Sequence, residues 1–159
     1  EVDRAMSRTK IPFPVRVPFV ESLGLELHAC AHGASELRVD LADAHMNSWE
    51  VAHGGVLMTM LDVSMAHAAR SVNTQDPAHA PGLVTVEMKT SFMRPGQGRL
   101  AARARVLHRS TTMAFCEASV FDEDHHLCAH ATGTFKYLRK LPVKGRGVKA
   151  LQRTNPDTP

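Results

Sequence analysis

Asp62 interrupts an apolar run. Val56, Leu57, Met60, Leu61, Met65, Ala68 and Ala69 recur at helical spacing, and on that wheel Asp62 shares a face with Gly55, Met58, Met65, Ala66 and Ala69. An ionised carboxylate on such a face is costly unless partnered, so this Asp is either bonded to a neighbouring strand or kept for chemistry. Nine residues earlier, where the run begins, stands His53-Gly54-Gly55. A helix start leaves backbone N–H groups unpaired and favours developing negative charge, and glycines there let a substrate carbonyl come close. Donors aimed at an oxyanion, with a carboxylate about two turns along, are the apparatus of acyl transfer to water. His-Gly-Gly alone is equally what a plain turn before a helix looks like.

The elements that must position these groups follow from periodicity. Leu23, Leu25 and Leu27, then Leu37, Val39 and Leu41, alternate around a break near Gly33 and predict a hairpin. Residues 43–52 carry no period and read as a loop. The run from His53-Gly54-Gly55 to about Val72 predicts one helix, buried nearly all round and about 30 Å long. Four strands follow: Val84, Val86 and Met88 against Thr85, Glu87 and Lys89; Leu100 to Val106; Ala114 to Val120; and Leu127 to Gly133. An antiparallel sheet packed on one buried helix, an α+β fold, accounts for that order and for the small Ala, Gly and Cys positions of the later strands.

Composition bounds the rest. A chain of 159 residues, 43% hydrophobic and 22% charged, is one globular domain rather than a disordered or fibrous chain. No apolar run approaches the roughly 20 residues of a membrane span, and the first residues lack the apolar core of a signal peptide. Cys30, Cys116 and Cys128 are an odd count without C-x-x-C spacing, which argues against a disulfide framework and makes the cytoplasm the expected location. From Lys136 onward there are seven basic residues and one acid, so the net charge of +3 belongs to the end of the chain. Residues 139–159 read as a flexible basic tail, residues 1–19 as a loose Pro-rich lead, and residues 20–138 as the domain. No aromatic residues interleave with the tail's charges, so nucleic acid is not an expected partner. Among ten histidines, His125-His126 with His130 invite a metal reading. Adjacent histidines on a strand face opposite ways and no helical zinc spacing occurs, so no metal is expected.

The spacing Asn47-x5-His53-Gly54-Gly55-x6-Asp62 resembles the hotdog-fold acyl-CoA thioesterases, in the branch of the phenylacetate-pathway enzyme. The resemblance continues through Gly82-x2-Thr85-Val86-Glu87-Met88, Phe92-Met93-Arg94-Pro95, Ala114-Phe115 and Gly133, and covers about residues 20–137. It implies an antiparallel sheet around one long central helix, assembled as a homodimer or as a dimer of dimers, a homotetramer. It also implies hydrolysis of an acyl-CoA to the acid and CoA without metal or redox cofactor, CoA being part of the substrate.

Position by position, the resemblance has the Gly54 N–H polarise the thioester carbonyl, with Gly55 beside it, and Asn47 orient the site. Asp62 of the facing subunit activates water or attacks the carbonyl, Thr85 holds the water, and His53 braces the loop. Where relatives carry a Gly and a basic residue near the CoA phosphates, this chain has Ser110 and Thr111, leaving Arg109 or Arg94 to supply the charge. A hotdog dehydratase and a non-catalytic acyl-CoA-binding regulator remain as alternatives. The double Gly and Thr85 favour hydrolysis over the former; Asp62, Asn47 and Thr85 argue against the latter.

Overall fold

The alternation through residues 25–40 folds as an antiparallel hairpin, β1 (Glu26–Ala31) and β2 (Ala34–Asp40), in a computed structural model that describes residues 9–72, 80–138, 141–143 and 146–149. Gly33 closes the turn at φ 78°, a left-handed backbone that glycine adopts without a Cβ clash. A 3₁₀ turn at Asp43–His45 leads to the long helix α2 (Gly54–Ser71); α1 (Pro18–Ser22) is a single turn ahead of β1. Then come β3 (Gly82–Phe92), β4 (Arg99–Arg109), β5 (Met113–Phe121) and β6 (Leu127–Leu138). The strands pair antiparallel in the order β1-β2-β4-β5-β6-β3, so β3 forms one edge of the sheet.

The sheet packs on α2. Met60, Leu61, Met65, Ala68 and Ala69 are fully buried and share one core with Leu37, Leu100, Ala102, Ala114, Ala129, Ala131 and Phe135. Each Leu or Met so buried stabilises the fold by roughly 1.5–3 kcal/mol. The small residues expected to make room for the helix do so: a Cβ at Gly133 would stand 3.0 Å from the Met65 methyl and from the Phe135 ring. Even a methyl there would require the Met65 end or the Phe135 ring to give way. This is the α+β arrangement of a hotdog fold.

Three expectations need correction. Burial of α2 is not all round: Met58 is 41% exposed, and Asp62, Val63 and Ala66 are only half-buried. Six strands cover the helix on one side and stop at β3. The Pro-rich lead is not loose throughout. Ile11 bridges to Leu27, Val15 and Val20 are buried, and the Phe13 ring meets the His67 ring edge-on at 5.3 Å. Prolines forbid a ladder but not apolar docking. Within the segment read as a flexible tail, β7 (Leu141–Val143) and β8 (Arg146–Lys149) pair antiparallel, since breaks that forbid a helix do not forbid a short ribbon. The remainder of the tail and residues 1–8 lie outside the described residues, and no helix among those described is long and apolar enough to cross a membrane.

Candidate active site

Asp62 faces β3, where its Oδ1 accepts a 2.7 Å hydrogen bond from the Thr85 hydroxyl. Strict alternation places Thr85 with Glu87 and Lys89, away from the helix. A β-bulge corrects this. The pairing runs Thr85 with Phe135, Glu87 with Thr134 and Met88 with Gly133, so Val86 is the extra residue and Thr85 shares the helix-facing side with Met88. Bulges re-aim side chains in this way, and the extra residue gives β3 its reach to Asp62. Burial pushes the Asp62 carboxyl above the ordinary carboxylate range, and the Thr85 hydrogen bond offsets part of that rise. A carboxylate with a raised pKa at a half-open position is suited to taking a proton from water.

The other half of the apparatus sits at the start of α2. His53 is the N-cap; its Nδ1 accepts the Gly55 N–H at 2.9 Å and its carbonyl accepts the Val56 N–H at 2.9 Å. That leaves the Gly54 N–H with no hydrogen-bond partner among the described residues. Gly54 lies under the Phe92 ring, whose edge would be 3.5 Å from a Cβ placed there. Gly55, expected beside Gly54 at the substrate, has its N–H taken by His53. His53 in turn braces the helix start, its accepting Nδ1 leaving the neutral ring's proton on Nε2. Asn47 shapes the loop ahead of it, Oδ1 accepting the N–H groups of Trp49 (2.9 Å) and Val51 (3.4 Å).

Eight residues of helix separate Gly54 from Asp62, about 12 Å along the axis at 1.5 Å per residue. One thioester cannot meet the donor and the carboxylate of the same chain at hydrogen-bonding distance. The sequence pattern of the thioesterase superfamily matches residues 50–129, half of the chain, including both clusters and β3. A solved protein from Pseudomonas aeruginosa is 32% identical, with a TM-score of 0.72 over 79% of this chain and 97% of its own. The chain belongs to the thioesterase superfamily. Also similar are a thioesterase family protein from Silicibacter pomeroyi (27% identical, TM-score 0.69, 77% of this chain and 90% of its own) and the phenylacetic acid degradation protein PaaI from Thermus thermophilus (27%, 0.67, 77% and 100%).

For a thioesterase-superfamily member the remaining candidates sort onto two ends of the sheet. Arg94 follows Phe92 and Met93 at the Gly54 end, its backbone N–H donating to the Cys128 carbonyl while the side chain is exposed. Ala114, Phe135 and Thr85 lie in one row across β5, β6 and β3, so Arg109, Ser110 and Thr111 lie at the Asp62 end. The Ser110 hydroxyl is engaged in its own turn, accepting N–H groups from Thr112 (3.4 Å) and Met113 (3.1 Å). These bonds shape the β4–β5 turn. Of the three histidines considered for a metal, His126 pairs with Asp122 and His130 with Glu117. Phe92 and Trp49, both at the Gly54 end, were not singled out by the sequence. No periodic signal marks a residue that flanks a site across a loop.

Proposed function

We propose that this chain hydrolyses an acyl-CoA thioester in a site shared by two copies, the Gly54 N–H of one facing Asp62 of the other. The observation that carries the reading is the Asp62–Thr85 pair on the uncovered stripe of α2, together with a free N–H donor too far along the same helix to serve the same carbonyl. The Gly54 N–H polarises the thioester carbonyl. Asp62, held by Thr85, takes a proton from water as the water oxygen bonds to the carbonyl carbon, and the C–S bond then breaks, with the proton passing to the CoA sulfur. Direct attack by Asp62 gives the same products through an anhydride that water opens. No metal or redox cofactor is needed, because carboxylate and N–H supply both base and polarisation.

A homodimer or dimer of dimers in the cytoplasm suits this reading. Edge strand β3 carries the exposed Val86, Phe92 and, just beyond, Met93, and α2 carries the exposed Met58, apolar surface that a second copy would cover. A non-catalytic acyl-CoA-binding role would leave thiol release undetectable. Thiol release from a panel of acyl-CoAs should show turnover by the wild-type chain; absence of turnover with every acyl group would overturn the reading.

A further inference from the structure

We infer that Trp49 forms a wall of the acyl pocket and selects uncharged apolar acyl groups larger than acetyl. The inference deepens the thioesterase reading and rests on it. Trp49 is the chain's single tryptophan, and it is 82% exposed. An indole that bare is uncommon, since tryptophan gains much from burial. It is also not adrift. Met46 and Ala52 form an antiparallel bridge at the base of its loop, and the Asn47 N–H donates to the Val51 carbonyl at 2.8 Å. Across the loop, the Glu50 N–H donates to the Asn47 carbonyl at 3.0 Å and the Trp49 N–H to Asn47 Oδ1 at 2.9 Å. Glu50 adopts φ 57°, a left-handed conformation that is strained for a non-glycine residue. The backbone that carries the indole is therefore fixed by its own hydrogen bonds despite the strain at Glu50.

The loop runs directly into the helix start that carries the Gly54 N–H. The Ala52 N–H ties the loop to the Gly96 carbonyl at 2.9 Å, and the His53 N–H ties it to the His45 carbonyl at 2.8 Å, so the loop base is locked one residue ahead of the N-cap. Five residues of chain span at most about 17 Å, within which the indole can reach a group bound at Gly54. Phe92, 53% exposed, flanks Gly54 from β3. The occupant is read from charge. Residues 46–52 carry a single charge, that of Glu50, which has the same sign as the CoA phosphates and as a dicarboxylic acyl end. The loop thus suits the uncharged acyl part of the substrate, not its nucleotide part.

The test compares acetyl-CoA with octanoyl-CoA on the full chain and on Trp49→Ala and Trp49→Phe, and follows the emission of the one tryptophan as an octanoyl thioether analogue is added. Trp49→Ala should raise KM for octanoyl-CoA about tenfold, the scale of lost apolar pocket contacts, with acetyl-CoA within about twofold and Trp49→Phe restoring most of the difference. Wild-type emission should shift to the blue with the analogue. Equal effects on both substrates, or emission that follows protein concentration and ignores the analogue, as for a contact between copies, would overturn the inference while wild-type turnover leaves the thioesterase reading intact. A blue shift without hydrolysis of either substrate would keep the Trp49 pocket and remove the thioesterase. Neither hydrolysis nor shift would remove both.

Discussion

Asp62 and His67 lie five residues apart on α2 and meet opposite surroundings. His67 is 3% exposed; its Nδ1–H donates to the Val63 carbonyl at 2.8 Å, Nε2 has no partner among the described residues, and the Phe13 ring packs against it. Burial, together with the nearby Arg70 charge, lowers its pKa to about 4, against a gain from the Val63 bond. Asp62 stands on the stripe that the sheet leaves uncovered, with one hydrogen bond from Thr85 and a pKa raised by partial burial. Both groups are kept neutral more readily than in water, but only one can meet a substrate. A buried titratable group sealed under a strap is a term in stability; the same burial at an open groove is a tuned base.

The comparison breaks most visibly in turnover. Asp62→Asn should cut kcat about 100- to 10,000-fold, as loss of a base or nucleophile does, while circular dichroism shows an intact fold and the melting temperature holds or rises as a half-buried charge is removed. Near-normal turnover by that variant would return Asp62 to a structural role. His67→Leu tests the sealed side. In the wild-type chain the unfolded His67 takes up a proton near its ordinary pKa of 6.5, whereas the folded one resists until about 4. Its contribution is therefore complete above pH 6.5 and is lost as the pH falls towards 4, by about 3 kcal/mol. Urea midpoints should fall over that window in wild type and much less in His67→Leu, with wild-type-like turnover at pH 7.5; equal pH slopes would refute the sealing. A smaller effect is expected from Thr85→Val, which removes the bond that lowers the Asp62 pKa. The acid limb of the pH–rate profile should move to higher pH, with kcat reduced about tenfold. An unmoved limb would mean that Thr85 does not hold the reactive carboxylate.

How much of this was legible depends on what each residue's neighbours are. The strand order, the Gly33 turn and the start of α2 at His53-Gly54 follow from local periodicity and turn chemistry, which the chain carries in itself. Thr85 was placed at the site by family resemblance, against its own alternation, because an extra residue at Val86 leaves no mark until β6 is paired with β3. The uncovered stripe of α2 was likewise invisible: a helical wheel shows which residues are apolar, not how far a sheet wraps. The bond that takes up the Gly55 N–H was hidden for a related reason, since its acceptor is the side chain of the residue two places earlier. Val15, buried within the Pro-rich lead, shows that docking of a lead segment is a tertiary fact.

The central claim is a site assembled from two copies, and mixing two inactive variants tests it most directly. Gly54→Pro deletes the N–H donor where proline is tolerated: it is the first residue of α2, and His53 before it has φ −60° and ψ 137°, the extended conformation that a pre-proline residue favours. Gly54→Pro and Asp62→Asn should each be nearly inactive alone. Unfolded and refolded together in equal amounts, they should recover about a quarter of wild-type activity, because half of randomly paired dimers carry one intact site of two. Recovery no greater than the sum of the two variants, with mixed dimers demonstrably present, would contradict a shared site.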